Sequence, residues 1–386
     1  MKIHEVEIEK IISNGCGLGR IDGKAVFIPY TIPGERAAIE ILEEKKGYMN
    51  AKMRELLHAS PFRTVPVCKY YYSCGGCTLQ HMDYKRQLEE RRNLIAEAVE
   101  RNGKIAAPEI EIISGTPEEQ YNYRCRAQFH RTSENKPGLK KRNGNEVIEI
   151  DFCPVCNTGI NNFLKSSPLL EKERVTVFAP NDSFYYEKNQ NPNYDSVIDS
   201  DGVIEVKIKD KIIKTDVGCF FQSNLMMLDK TIELITGFME GNIYFDFYSG
   251  VGVFGLFLPE NAELIVSIES DKRAIMYAKE NIKTTKNIKK YFFGEKVEKF
   301  IDKWKGDIPD TVILDPPRTG ISDSVKNYLA DKKVKNIIYL SCDYATLGRD
   351  LGFFAKKGYC NEKLFFLDFY PQTTHAELLT ILRYVG

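Results

Sequence analysis

The run Tyr244-Phe245-Asp246-Phe247-Tyr248-Ser249-Gly250-Val251-Gly252-Val253-Phe254-Gly255 is the most constraining stretch of this chain. It is an apolar strand feeding a glycine-rich turn, and it stands in a rhythm of helices and strands that begins near residue 224. Leu225 to Met239 reads as a helix, Ile243 to Tyr248 as a strand, Gly255 to Leu258 as the opening of a helix, Leu264 to Glu269 as a strand and Lys272 to Asn281 as a helix. Further strands are expected at Thr311 to Leu314 and Asn336 to Ser341. Such alternation predicts an α/β fold with a doubly wound, mostly parallel sheet. Sheets of this kind bind ligands outside the carboxyl ends of their strands.

Several chemical groups collect at those ends. Gly250-x-Gly252 lets the backbone approach a ligand closely, and the next strand ends in Glu269, where a ribose diol would lie. Gly255 completes a G-x-G-x-x-G spacing, so the turn suits dinucleotides and S-adenosylmethionine alike. Leu314-Asp315-Pro316-Pro317-Arg318 closes a later strand, and Asp-Pro-Pro is characteristic of methyltransferases acting on planar nitrogens or nucleobases. The following strand delivers Cys342 to the same edge, and Glu377 lies near the end of the chain beside His375. A thiolate and a base are the two groups that methylation of uracil carbon 5 requires. The thiolate adds to carbon 6 and makes carbon 5 nucleophilic; the base then removes the carbon 5 proton.

At 386 residues the chain is long enough for two or three domains. Residues 1–57 read as short strands joined by turns at Asp22-Gly23 and Pro33-Gly34, a small β-barrel. The Gly15-x-Gly17-x-Gly19 run inside it reads as a turn and not as a nucleotide loop, because a strand through Val26 and Phe27 follows it where a helix would be needed. Cys68, Cys74 and Cys77 come next, beside Tyr70, Tyr71 and Tyr72. On this stretch alone zinc, an iron–sulfur cluster, a redox dithiol and a disulfide are all open. Tyr84, Leu88, Ile95 and Val99 then recur at helical spacing over about residues 82–102, with Asn102-Gly103 as the stop. Residues 121–150 and 175–215 return to strand-like alternation, with turns at Pro137-Gly138, Asn143-Gly144 and Asp201-Gly202.

The opening MKIHEVEIEKIISNG lacks the apolar run of a signal peptide and no stretch of about 18 apolar residues occurs, so a cytoplasmic location without membrane contact is expected. There ten cysteines are thiols, metal ligands or catalysts before they are disulfides. Lys+Arg and Asp+Glu balance at 54 each, which excludes a global basic signature but leaves local phosphate-binding clusters such as Lys140-Lys141-Arg142.

Taken together, these motifs resemble those of the class I RNA 5-methyluridine methyltransferases, the uracil-5 family that includes the bacterial 23S rRNA enzymes, over nearly the whole chain. The resemblance implies a TRAM-like, OB-related RNA-binding barrel at 1–57 and a central α+β iron–sulfur domain at 58–219, whose helix at 82–102 can pack on the catalytic domain. It further implies a Rossmann-like class I methyltransferase domain at 220–386. Phe220-Phe221-Gln222-Ser223-Asn224 resembles the family's Phe-x-Gln-x-Asn motif, implying that Gln222 contacts S-adenosylmethionine or the base and that Phe220 stacks near the uracil, with Arg318 as a further RNA contact. Tyr248, Gly250, Gly252, Glu269 and Asp315 match cofactor positions, Cys342 the nucleophile and Glu377 the base. Cys68, Cys74, Cys77 and Cys153 match the ligands of a 4Fe-4S cluster, with Cys156 competing for the fourth place and zinc as the alternative occupant.

Asp343-Tyr344 departs from the usual Asn-Pro after the nucleophile, Ala376 from the usual Val before the base, and Val253 from Asn. The implied function is S-adenosylmethionine-dependent uridine C5 methylation of structured RNA, with 23S rRNA as first target, tRNA as the alternative and no obligate protein partner. A noncatalytic RNA-binding factor is the reading from another class, and the retained Cys342 and Glu377 argue against it. A radical iron–sulfur enzyme would want Cys-x3-Cys-x2-Cys, which Cys68, Cys74 and Cys77 do not form.

Overall fold

Strands rich in Val, Ile, Leu and Phe without polar alternation are stable only when covered on both faces. In the computed structural model, which describes residues 2–186, 202–285 and 287–386, four such strands lie side by side: Leu264–Ile268, Ile243–Phe247, Thr311–Leu314 and Asn336–Ser341. With Lys289–Phe293 at one edge they are all parallel. The chain winds one way from Ile243–Phe247 and the other way from Thr311–Leu314, which makes their boundary the switch point of the sheet. Beyond Asn336–Ser341 the sheet turns antiparallel through Glu377–Tyr384 and Tyr359–Leu367, and Ile110–Ile113 adds an eighth strand parallel to the latter.

Helix Tyr84–Gly103 covers one face of this sheet against helix Tyr344–Ala355. Glycines permit the crossing. A Cβ on Gly348 would come within 2.8 Å of the Ala98 carbonyl oxygen, and one on Gly103 within 2.5 Å of the Gly348 oxygen. The helix ends at Gly103, at the expected Asn102-Gly103 stop, and Lys104 follows in the left-handed conformation with φ 54°. The expected helix from Gly255 is only a short 3-10 turn, Phe254–Leu256.

The N-terminal sheet runs Ile3–Glu7, Arg36–Glu44, Tyr48–His58, Lys24–Pro29, Cys16–Ile21 and Lys10–Ile11 in space, around Val6, Ile8, Val26, Ile28 and Ile39. The Gly15–Gly19 run is not the expected turn: Cys16–Ile21 is a strand that pairs with Lys24–Pro29. Side chains on Gly17 and Gly19 would collide with Ile8, Thr31 and Val6, so these glycines allow the strand to lie close across the sheet interior. A five-stranded antiparallel sheet follows, with Arg126–Arg131 at its centre and helix Thr158–Lys165 packed against it through Phe129, Phe163 and Val177. Asp201 of the expected Asp201-Gly202 turn lies outside the described residues.

The glycine crossing makes a signed prediction. Ala for Gly in an open helix gains about 1 kcal/mol, and Gly237→Ala, where nothing lies within 4 Å, should raise the urea midpoint. Gly348→Ala should lower it, by about 1–3 kcal/mol of overpacking; a gain at Gly348 would refute the close crossing.

Candidate active site

After Phe247 the chain turns sharply, with φ 65° at Tyr248, 53° at Gly250 and 82° at Gly252. The two glycines serve different ends. A Cβ on Gly252 would press within 2.9 Å of Ala278 on helix Lys272–Ile282, whereas Gly250 faces open space. The Gly250 N–H donates to Glu269 Oε2 at 3.0 Å, while Glu269 Oε1 accepts the Asp271 N–H at 2.8 Å. Glu269 thus fastens the turn to the end of the neighbouring strand and fixes the backbone that a ligand would meet.

Asp315 closes the adjacent strand on the other side of the switch point. Burial and the nearby Glu269 push its carboxyl up to about 7. Beneath it Asp246 is fully buried, with neither oxygen hydrogen-bonded. Burial, with Asp315 and Glu269 close by, drives Asp246 well above the carboxylate range. Its register partner Ser267 also buries an unpaired hydroxyl. Buried polar groups are costly without partners, so Asp246 joins the candidate cofactor contacts. The motifs do not single it out, although its signal is legible as one acid inside an apolar strand.

Cys342 directly follows Asn336–Ser341, and Glu377 opens the antiparallel strand Glu377–Tyr384. Ser341 pairs with Leu378, so one further step of the register brings Cys342 beside Glu377. Burial and the charges of Glu377 and Asp315 push the thiol up to about 11, and Arg318 opposes them. Glu377 is 5% exposed. Burial and Asp315 push it up to about 8, against a hydrogen bond from Tyr370 and the field of Arg318. The Tyr370 hydroxyl donates to Glu377 Oε1 at 3.5 Å. Cys342, Glu377, Asp315 and Arg318 therefore share one electrostatic neighbourhood, and Tyr370 is a member that the sequence motifs do not single out.

The departure at Asp343 has a local reason. Its carboxylate accepts the Thr346 N–H at 2.8 Å and caps helix Tyr344–Ala355, a role that Asn fills equally well. Tyr344 then stands at the first helical position, where Pro is tolerated but not required. Gln222 is buried with its side-chain oxygen unpaired, and Asn224 next to it donates to the Phe369 carbonyl at 3.3 Å, which brings this segment alongside the Tyr370 loop. Phe220 is 66% exposed while Phe221 is buried on Phe178.

The cysteines form a separate group. Cys68, Cys74, Cys77, Cys153 and Cys156 line one cavity of about 60 Å³, with Tyr71, Gln80 and Arg124. Asn161 pins the Cys153–Cys156 turn, accepting the Cys153 N–H at 2.9 Å and donating to both cysteine carbonyls at 3.0 and 2.9 Å. Among the described residues, no three His, Cys, Asp or Glu side chains are gathered as ligands of one metal ion. Of the adjoining tyrosines, Tyr71 is core and bonds His81 Nδ1 at 2.6 Å, whereas Tyr72 is exposed. The expected phosphate cluster is largely engaged. Arg142 donates to the Asn14 carbonyl and lies 4.7 Å over the Tyr30 ring, and Lys141 pairs with Glu146.

A pH dependence follows. Glu377 keeps its proton to about pH 8 in the folded protein and to about 4.5 when unfolded, so stability falls as pH rises through that window. Glu377→Gln removes this loss. Its stability relative to wild type should improve by roughly 1 kcal/mol per pH unit between pH 5 and 8, measured by urea unfolding; a constant difference would contradict the buried carboxyl.

This fold has counterparts among known proteins. The family described as tRNA (Uracil-5-)-methyltransferase matches residues 195–384, and the TRAM domain matches residues 2–53. A Treponema denticola protein described as an uncharacterized RNA methyltransferase is 34% identical, over 97% of this chain and 97% of its own. An Aquifex aeolicus protein of the same description is 28% identical over 98% of each. The crystal structure of Pyrococcus abyssi tRNA (uracil-54, C5)-methyltransferase with S-adenosyl-L-homocysteine shares the fold at TM-score 0.74 and 22% identity, over 98% of this chain and 99% of that one. The chain belongs to the RNA methyltransferases, with a region at 195–384 that matches the tRNA (Uracil-5-)-methyltransferase family and a TRAM domain at 2–53.

Proposed function

We propose that the protein methylates carbon 5 of a uridine in structured RNA, with Cys342 as nucleophile and Glu377 as base. The reading is carried by the Ser341–Leu378 pairing, one step short of Cys342 and Glu377, together with the charge of Glu377 acting on the Cys342 thiol. S-Adenosylmethionine, when bound, would supply the methyl group as an electrophile through cleavage of its sulfur–methyl bond, with S-adenosylhomocysteine as the leaving group. Gln222, Tyr248, Gly250, Gly252, Glu269 and Asp315 hold it in this reading. The unpaired oxygens of Asp246 and Gln222 and the open face of Gly250 support such an occupant.

The Cys342 thiolate forms a bond to uracil carbon 6, and the displaced electron pair makes an enolate whose carbon 5 takes the methyl group. Arg318 is the cation that favours the thiolate against the neighbouring carboxylates. Glu377, in the ionised form that it reaches near pH 8, takes the carbon 5 proton, the bond to Cys342 breaks, and the double bond between carbons 5 and 6 returns. The base must leave its stack to reach Cys342, at a cost of a few kcal/mol that an exposed aromatic such as Phe220 offsets.

Cys68, Cys74, Cys77 and Cys153 hold a 4Fe-4S cluster in this reading. The one cavity that these cysteines line together with Cys156 supports such an occupant, with zinc as the alternative and Cys156 competing for the fourth place. Methyl transfer moves no single electrons, so the cluster serves folding or RNA placement. Anaerobically purified protein should contain about four iron and four sulfide per chain; one zinc without iron would replace the cluster by the alternative.

We take 23S rRNA as the target, because the barrel and cysteine layout is the one that the resemblance associates with rRNA enzymes. The family description, and the Pyrococcus abyssi protein's being a tRNA (uracil-54, C5)-methyltransferase, favour tRNA as a second reading. Labelled S-adenosylmethionine with unmodified rRNA or bulk tRNA decides between them. Wild type should yield 5-methyluridine in rRNA, and Cys342→Ala should lose activity by more than about 10³-fold. Label in tRNA alone would move the target, and label retained by Cys342→Ala would remove the nucleophile.

A further inference from the structure

The loop from Asp368 to Glu377 carries Tyr370 and the base, yet its hydrogen bonds run mostly to distant parts of the chain. The Thr78 and Leu79 N–H groups both donate to the Gln372 carbonyl, at 2.9 and 3.0 Å, immediately after Cys77. Gln87, on helix Tyr84–Gly103, makes a reciprocal pair with the same residue. Its Nε2 donates to Gln372 Oε1 at 3.0 Å, and its Oε1 accepts the Gln372 N–H at 3.1 Å. Gln120 Oε1 accepts from Gln372 Nε2 at 2.6 Å. Gln87 and Gln372 are each 1% exposed. Gln372 also holds a left-handed backbone, φ 69°, which a non-glycine residue keeps only where its surroundings over-determine it.

We propose that Gln372 is a positioning residue for the Tyr370–Glu377 pair, locked by Gln87 and by the backbone that leads out of the cysteine segment. The inference rests on Glu377 being the base. Gln372 lies two residues past Tyr370, whose hydroxyl reaches Glu377, and Tyr123 donates to the intervening Pro371 carbonyl at 3.1 Å. The segment that bears Cys74 and Cys77 therefore reaches this loop through the Thr78 and Leu79 N–H groups, which donate to Gln372, and through Thr78 Oγ1, which accepts the Thr374 N–H at 3.1 Å. Among the described residues, this lock has no hydrogen bond to Cys342. Its loss should impair proton removal and leave the earlier addition and methyl transfer in place.

The test uses Gln87→Ala and Gln372→Gly in the full-length protein. The second removes the Gln372 side-chain amide, and with it the bonds to Gln87 Nε2 and Gln120, keeps the Gln372 N–H bond to Gln87 Oε1 and suits the left-handed backbone, so it carries the test if Gln87→Ala does not fold. On RNA with ordinary uridine, kcat should fall about 10- to 100-fold with KM within about threefold. A denaturant-resistant RNA–protein adduct should accumulate, because the methylated base stays joined to Cys342 until the proton leaves. Unchanged kcat, or a lower kcat without trapped RNA, overturns the proposal. Wild type run in parallel separates the two levels. No 5-methyluridine from wild type overturns the parent reading and this one together, whereas an active wild type with variants that slow without trapping overturns this one alone.

Discussion

The antiparallel pairing of Glu377–Tyr384 with Asn336–Ser341 is the constraint on which the rest depends. The preceding strands are parallel, so their carboxyl ends collect Tyr248, Glu269, Asp315 and Cys342 on one edge. A parallel strand in the next place would bring its amino end, and Glu377 with it, to the opposite edge. Reversal brings the start of the strand to the edge where the others finish. A slip of one residue would turn Glu377 to the other face. The buried side chains of Leu378, Leu379, Ile381 and Leu382 oppose such a slip, because both faces are packed.

The cost of this arrangement is electrostatic. Asp246, Asp315, Glu269 and Glu377 crowd one edge with Arg318 as the cation facing Cys342 and Glu377, and the carboxyls of Asp246, Asp315 and Glu377 are all raised. Elsewhere the loop leading to Glu377 is tied down. Arg91 and Asp368, both fully buried, form an ion pair at 2.5 Å, and Tyr84 donates to the other Asp368 oxygen at 2.7 Å. Arg91 also donates to the His375 carbonyl, which satisfies the second end of its guanidinium. A buried pair with these extra bonds fixes geometry more than it adds stability. It makes helix Tyr84–Gly103, which precedes the parallel strands by well over a hundred residues, part of the same assembly.

The motifs at strand ends were legible because chemistry and fold coincide there. Asp315, Cys342 and Glu377 stand out as polar groups that break apolar strands, and the structure gathers them. Long-range partners were less legible. Gly17 and Gly19 look like a turn because glycine weakens strands in general, whereas here neighbouring side chains leave no space for a Cβ. Gly103 is legible as a helix end, but its close approach to the backbone of Gly348 is not. Ile110–Ile113 is too short to announce its partner, Tyr359–Leu367, so far along the chain. Gln372 carries no motif signal, because its importance lies wholly in what its two amides and its carbonyl meet.

The most direct test of the register and of the chemistry it supports is to capture the wild-type protein on RNA that carries 5-fluorouridine at the target and to map the adduct by peptide mass spectrometry. Fluorine at carbon 5 cannot be removed as a proton, so methyl transfer proceeds and elimination stops. One modified peptide is expected, with the methylated fluorouridine nucleotide on Cys342. Attachment at any other cysteine, or capture that persists in Cys342→Ala, would contradict the pairing of Cys342 with Glu377 as nucleophile and base.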